Sequence, residues 1–305
     1  MPDKTTNLIL VAYPGASTAA VAGLQEMFSQ TAHLQKRDGL TPISLNTVTA
    51  ENLPDTPQHA VIIPPAFGNS LYLEPDVRVV NWIKSQPGSC IKASACAGAF
   101  YLGAASLLNK HRCTTHWALE NKLRTRFPKA EVDTGEILIK DGSLITAGGL
   151  LSWVDLALEL VAHFSSPTVM RELGRYFVVD TGRREQRYYS DFIPPADHGD
   201  NTIRQAQALI ENTFSSPIRI SELASTVALS ERTFLRRFTR ATGLTPLSYV
   251  QHLRMQSAQR SLETSSAAIE QISFSVGYEN TNAFRKLFKQ HTGLSPSQYR
   301  QRLKR

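Results

Sequence analysis

The stretch Phe234-Leu-Arg-Arg-Phe-Thr-Arg-Ala-Thr-Gly-Leu-Thr-Pro-Leu-Ser-Tyr249 returns fifty residues later as Phe284-Arg-Lys-Leu-Phe-Lys-Gln-His-Thr-Gly-Leu-Ser-Pro-Ser-Gln-Tyr299. The shift lays Phe234, Phe238, Gly243, Leu244, Pro246, Tyr249 and Leu253 on Phe284, Phe288, Gly293, Leu294, Pro296, Tyr299 and Leu303. Upstream it is forty-nine, and Ile220, Leu223, Val227 and Leu229 fall on Ile269, Ile272, Val276 and Tyr278. The inserted residue, Glu279, sits where a turn is expected. Kept core positions with an insertion only at a turn describe a duplicated fold unit.

Each copy reads helix, turn, helix. Ile220, Leu223, Ala224 and Val227 form one apolar stripe at helical spacing. Ser230 is a good N-cap for a second helix that carries Phe234 and Phe238 inward, and Gly243 stops it. Thr245-Pro246 then restarts a helix. Asn280, Gly293 and Ser295-Pro296 repeat the device. This is the pattern of a helix-turn-helix, whose second helix enters the DNA major groove.

The charge is distributed accordingly. From residue 201 onward fifteen Lys and Arg stand against six Asp and Glu, a net of +9, whereas residues 1–200 carry eighteen against twenty, a net of −2. A basic segment on a balanced chain suggests a polyanionic partner. A solvated charged face is the plain reading of any one such run, but here both second helices carry cations off the phenylalanine face. Those are Arg232, Arg236, Arg237 and Arg240 in the first copy, and Arg285, Lys286 and Lys289 in the second.

The motifs Leu229-Ser-x-x-x-Phe-Leu-Arg-Arg-Phe…Thr-Gly-Leu-Thr-Pro and Val276-Gly-Tyr-Glu-Asn…Phe-Arg-Lys-Leu-Phe…Thr-Gly-Leu-Ser-Pro resemble those of the AraC/XylS family of transcription regulators. The resemblance implies two helix-turn-helices joined by a long helix, here Leu247 to about Leu262, reading adjacent major grooves about one DNA turn, roughly 34 Å, apart. It places Arg232, Thr233 and Arg236 in one groove and Thr281, Asn282 and Arg285 in the other. Arg237, Arg240, Lys286 and Lys289 are then phosphate contacts, and Ser230 and Asn280 open the two helices. The family's commoner role is activation, which would make RNA polymerase a partner.

The 305 residues suggest two domains. Met1 to Asn7 is polar, and the apolar run from Leu8 to Ala12 is too short for a signal sequence or a membrane span. Three cysteines without metal-like spacing fit a reducing compartment. A soluble cytoplasmic protein with no membrane partner is expected.

Residues 6–165 alternate strand and helix. Leu8 to Tyr13 and Ala60 to Ile63 read as buried strands, Cys90 to Ala95 as a third, and Leu138 to Ile145 as a hairpin around Asp141-Gly142. Helices are expected from Thr18 to Ser29, Val77 to Lys84 and Trp153 to Phe164. The alternation predicts an open, mostly parallel, flavodoxin-like α/β sheet ahead of an all-α domain with two helix-turn-helix units.

Ligands in such sheets bind at the carboxyl ends of the strands. Three ends stand out: Tyr13-Pro-Gly-Ala-Ser17, Pro64-Pro-Ala-Phe-Gly68 and Ala95-Cys-Ala-Gly-Ala99. They offer Ser17, Phe67, Gly68, Cys96 and Ala97 as ligand-binding candidates. Cys96 falls at a tight strand-to-helix turn, a nucleophile elbow, where a helix N-terminus can lower a thiol pKa from about 8.5.

Ala95-Cys-Ala-Gly-Ala-Phe…Leu-Gly-Ala-Ala-Ser-Leu-Leu, then Thr114-Thr-His-Trp, Thr146-Ala-Gly-Gly and Arg183-Arg-Glu-Gln, resemble the PfpI/ThiJ-like (class I glutamine amidotransferase-like) superfamily. The arrangement is similar to GlxA-type regulators, which place such a domain before an AraC-type one. The resemblance gives His116 a ligand-facing place and implies that first domains pair, hence a homodimer. Trp117 beside it is either a pocket wall or core. The superfamily's enzymes use an acid from the first loop, but Pro14-Gly-Ala-Ser-Thr-Ala-Ala has none, and Ala97 follows Cys96. No catalytic residue is therefore assigned.

His111, Cys113 and His116 have strand-like spacing, whose side chains alternate faces, so no metal is expected, and no other cofactor either. Cys90 reads as mid-strand packing. Breakers and polar residues from Ile193 to Asp200 form a linker, semi-rigid at Pro194-Pro195, through which the sensor could reorient the DNA-binding part. Asn201 or Thr202 caps the next helix. The domains expected are 1–192 for ligand sensing and dimerisation, 193–201 as linker and 202–305 for DNA binding. The whole describes a transcription regulator of double-stranded DNA controlled by a small-molecule effector; a cysteine-dependent amidase- or hydratase-like enzyme fused to a DNA-binding domain is the alternative, and a constitutive DNA binder with a filled crevice is another.

Overall fold

The computed structural model describes residues 5–67, 70–182 and 185–303, in two compact units that divide between Gln186 and Arg187. Gly68 lies outside the described residues. No described helix is long and apolar enough to cross a membrane.

The first unit is an α/β sandwich. In chain order it runs β1 (Thr6–Val11), α1 (Thr18–Arg37), β2 (Ile43–Val48), β3 (Ala60–Ile63), α2 (Val77–Ser85), β4 (Ile91–Ala95), α3 (Ala99–Ala104), β5 (Arg112–Cys113), α4 (Glu120–Arg126), β6 (Glu131–Val132), β7 (Leu138–Asp141), β8 (Leu144–Ala147), α5 (Trp153–Phe164) and α6 (Pro167–Phe177). The main sheet has the order β2-β1-β3-β4-β8-β7, parallel except for β7, which pairs antiparallel with β8 through the Asp141-Gly142 hairpin. β5 and β6 form a small parallel pair.

From Leu8 onward β1, and all of β3, are apolar on both faces because each face is covered, while β4 is equally buried but carries Lys92 and Ser94 on one face. Leu8, Leu10, Ile62 and Ala93 pack under α1, α5 and α6, while Ile9, Val11, Val61 and Ile63 pack under α2 and α3.

Several expectations need correction. α1 continues to Arg37, not Ser29, because Thr31 and Gln35 extend its buried stripe; Thr31 bonds the Met27 carbonyl and the Gln35 amide oxygen accepts from the N–H of Ile43. Strand β2, unanticipated, is an edge with half-exposed residues. Helix α6 was likewise unanticipated; Ser166 caps it ahead of Pro167. Cys90 is buried as expected but precedes β4, so it is not in mid-strand.

The second unit holds α7 (Asn201–Thr213), α8 (Ile220–Thr226), α9 (Glu231–Thr242), α10 (Pro246–Thr264), α11 (Ile269–Ser275), α12 (Thr281–Thr292) and α13 (Pro296–Leu303). Asp200, not Asn201 or Thr202, caps α7 by accepting from the N–H of Ile203. Two separate cores follow the duplication. Phe234 and Phe238 close on α7, α8 and the first half of α10; Phe284 and Phe288 close on α11, α13 and the second half of α10.

The duplication is longer than the two-helix motif. Ile203, Ala206, Ile210 and Glu211 on α7 recur fifty-two residues later as Met255, Ala258, Leu262 and Glu263 on α10. Tyr249 donates to Glu211 at 2.7 Å, and Tyr299 donates to Glu263 at 2.8 Å. Thr242 and Thr292 each donate to the carbonyl four residues back, tying the last turns of α9 and α12 ahead of the left-handed Gly243 and Gly293. Each unit is thus four helical elements, and α10 serves both, closing the first with its first half and opening the second with its second half.

The segment expected to link the domains lies on this unit. Phe192 stacks on His252 and meets Tyr249 edge-on, and the side chain of Gln207 donates to the Pro195 carbonyl at 2.9 Å. Phe192, just ahead of the proline-rich run, and the Pro195 carbonyl within it hold the segment to α10 and α7.

Candidate DNA interface and sensor crevice

Helices α9 and α12 bury the same faces and expose different ones. Phe234, Phe238 and Thr242 are buried on one, Phe284, Phe288 and Thr292 on the other. Outside those positions, Arg232 stands where α12 has Asn282, Leu235 where it has Arg285, Arg236 where it has Lys286, and Arg240 where it has Gln290.

On α9 the Ser230 hydroxyl accepts from the N–H of Thr233 and donates to its side chain, so both residues are engaged in the cap. Arg232, Arg236 and Arg240 are exposed at i, i+4 and i+8, one row on the surface. Among the described residues none of the three has an acidic partner. Arg237 leaves that row. Its guanidinium lies on Asp200, with Nη2 to Oδ1 at 2.6 Å and Nε to Oδ2 at 2.9 Å. A bidentate pair of this kind engages the guanidinium, which sets Arg237 apart from Arg232, Arg236 and Arg240.

On α12 the Asn280 side chain accepts from the N–H groups of Asn282 and Ala283, and Thr281 is half-buried. Asn282, Lys286 and Lys289 are exposed. Arg285 donates to Glu270 of α11 at 2.7 Å across an open surface, a pair that DNA can displace at little cost.

In the first unit the elbow forms. β4 ends at Ala95, Cys96 turns with φ +53, and α3 begins at Ala99. Gly98 is required: a Cβ there would lie 2.5 Å from the carbonyl oxygen of Ile63. The loops after β1 and β3 are strapped together, with the N–H of Ser17 on the Pro65 carbonyl at 2.7 Å and that of Phe67 on the Gly15 carbonyl at 3.1 Å. The Ser17 hydroxyl caps α1. Phe67 is 71% exposed, whereas Cys96 is buried.

The surroundings of Cys96 oppose a reactive thiolate. The residue is 5% exposed and burial pushes its thiol up to about 11, although the N–H groups of Ala97 and His116 at the sulfur pull the other way. This corrects the expectation from the helix N-terminus, since desolvation outweighs it. Ala97 is buried as well. His116 meets the sulfur through its backbone. Burial lowers its imidazole pKa, and its Nδ1 accepts from the N–H of Ala118, so the neutral ring is left with Nε2–H, a donor rather than a base.

The Trp117 ring, half-buried, lies 5.1 Å from the His116 ring, and the backbone N–H of Trp117 donates to the Gln186 side-chain oxygen. Gln186, which sequence reasoning missed as a functional residue, also donates to the Thr115 and Thr134 carbonyls and so holds the 115–117 turn. Tyr13, Tyr72 and Tyr101 were missed too; all are buried, and the Tyr13 and Tyr101 rings stand 4.6 Å apart. The Tyr13 hydroxyl donates to the Pro64 carbonyl at 2.8 Å. Burial and the neighbouring Tyr101 and Cys96 all raise the Tyr13 pKa, which places these groups together.

His111, Cys113 and His116 do not converge. His111 turns to Asp141, Cys113 is buried, and His116 caps its own turn.

Residues 19–163 match the model of the DJ-1/PfpI family, and residues 223–302 match that of a helix-turn-helix domain. The HTH-type transcriptional regulator GbdR of Pseudomonas aeruginosa is 26% identical over 212 residues, covering 68% of this chain and 57% of that protein. CdhR, another HTH-type transcriptional regulator of that species, is 25% identical over 225 residues, 73% of this chain and 66% of its own. The chain therefore spans less than two thirds of either relative. A crystal structure of a DJ-1 superfamily protein from Salmonella typhimurium superposes with a TM-score of 0.48 at 18% identity, over 58% of this chain and 100% of that one. The chain joins a DJ-1/PfpI domain to a helix-turn-helix domain. The latter is of the AraC type, with two helix-turn-helix units on one connecting helix.

Proposed function

We propose that this protein is a sequence-specific, DNA-binding transcription regulator, controlled by a small metabolite held in a non-catalytic DJ-1/PfpI domain that also dimerises. The observation that carries it is the pair α9 and α12: identical buried faces, with exposed faces that are cationic and chemically different. A fold needs only the first property; reading two unlike DNA subsites needs the second. Arg232 and Arg236 suit the paired acceptors of guanine, and Asn282 the adenine edge. Arg240, Lys286 and Lys289 suit phosphates, and Arg285 joins the second groove once it leaves Glu270.

A sensor rather than an enzyme is favoured by a protonated Cys96, by a His116 ring without a free acceptor, and by a first loop without an acid. A constitutive DNA binder is the second reading, favoured by the tyrosines packed around Cys96. The test is a thermal-shift screen of the full chain against small metabolites, followed by recovery of any stabilising compound. Binding the folded state at 100 times the dissociation constant adds about 2.7 kcal/mol. A stabilising compound recovered unchanged, which also alters DNA affinity, supports the sensor. Consumption of the compound by wild type but not by Cys96→Ser overturns it in favour of an enzyme, and no shift from any compound favours the constitutive protein.

A further inference from the structure

We infer that Arg254 is the positioning residue that sets the spacing between the two recognition helices. The inference rests on the DNA-binding reading above and extends it to how the two subsites are held in register.

Arg254 stands on α10 where one core ends and the other begins: Leu253 is buried in the first and Met255 in the second. Its guanidinium reaches into both helix-turn-helix units. Nε donates to the Phe214 carbonyl at 2.7 Å and Nη2 to that of Ser216 at 2.9 Å, both in the connection after α7. Nη1 donates to the Gly277 carbonyl at 2.9 Å, in the turn between α11 and α12. The cation also lies 5.3 Å from the centre of the Tyr278 ring.

These acceptors are at the carboxyl ends of two helices. Phe214 follows α7 of the first unit, and Gly277 follows α11 of the second. Unpaired carbonyls gather partial negative charge there, and a cation placed between two such ends draws them together. The guanidinium is planar with donors in a fixed fork, so three carbonyls on it define an angle as well as a distance. The units also approach closely at this point: a Cβ on Gly277 would lie 2.5 Å from the Ser215 carbonyl oxygen. The duplicated sequence places no counterpart to Arg254 on α7, where the equivalent position is Thr202.

The alternative is that α10 alone fixes the spacing and Arg254 only adds stability. The two are separated by enriching DNA from a pool of random-sequence duplexes with full-length wild type, Arg254→Lys and Arg254→Gln. Lysine keeps the charge but reaches one direction; glutamine keeps an N–H donor without charge. Wild type is expected to enrich two short blocks at one spacing. Both variants are expected to enrich the same blocks at several spacings, and to bind the wild-type duplex roughly tenfold or more weakly, since the second contact loses effective concentration. A duplex with a single block should bind all three equally. Variants that unfold at lower temperature yet enrich the wild-type spacing overturn the inference, because Arg254 would then be structural only. A wild type that enriches no sequence sinks the DNA-binding reading itself, and this inference with it.

Discussion

Arg237 on the recognition helix of the first unit is bound to Asp200, the residue that caps α7, through two bonds of 2.6 and 2.9 Å. The pair joins the N-terminal cap of α7 to α9, the helix proposed to read DNA. Replacing Asp200 with Ala should cost about 1 kcal/mol from the lost cap, measured by urea unfolding. Asp200→Asn keeps one oxygen to cap α7 but has no second acceptor, so it loses the charge and with it the two-point bond to Arg237. The Asp200 carboxyl is held below its ordinary pKa first by the bond to Arg237, so its contribution is present above the unfolded value and lost as pH falls through the folded one. The stability gap between wild type and Asp200→Asn should therefore be constant near neutrality and close below about pH 4. A gap that widens in acid would contradict this.

Arg237 should accordingly differ from its neighbours in DNA binding. Arg232→Ala or Arg236→Ala should lower binding to an enriched duplex by about 1–3 kcal/mol each, with less effect on random DNA. Arg240→Ala should reduce the slope of affinity against salt by about 1 on any sequence. Arg237→Ala should leave that slope unchanged. A loss of slope for Arg237→Ala would return it to the phosphates.

The turns of the two helix-turn-helices provide a matched test. Ala228 has φ +54 and its counterpart Gly277 has φ +89. The left-handed region costs a residue with a Cβ about 1 kcal/mol or more. Ala228→Gly should raise stability by up to about 1 kcal/mol, less any gain in unfolded-chain entropy. Gly277→Ala should lower it by more than that, since its Cβ would also meet the Ser215 carbonyl. Thermal unfolding of both variants reads the two signs, and equal shifts would contradict the geometry.

Cys96 should be slow to alkylate. With its thiol pushed up to about 11 by burial, the labelling rate in native protein should climb through the alkaline range and stay low at pH 7. Mass spectrometry after timed iodoacetamide treatment measures it. Fast labelling at neutral pH would reveal a thiolate and revive the catalytic alternative.

Much of this was legible in the sequence, for physical reasons particular to each element. The phenylalanines at i and i+4, the stopping glycines and the proline restarts are local signals, and they placed α9 and α12. The parallel strands showed as apolar runs because both faces are buried. What escaped was tertiary. The kinship of α7 with the second half of α10 was hidden because α10 belongs to both repeats, at shifts of fifty and fifty-two. Arg237 looked like any other cation on α9 until Asp200 was beside it. Tyr13, Tyr72 and Tyr101 come from distant segments to meet near Cys96, and a helix N-terminus argument could not weigh the desolvation they impose.

The central claim is that two unlike recognition helices on one rigid connector read DNA. Enrichment of random-sequence duplexes by the full-length protein tests it most directly. Two different short blocks, about 10 base pairs between centres and on one face of the duplex, are predicted. Failure to enrich any sequence above the starting pool, or enrichment of two identical blocks, would contradict it.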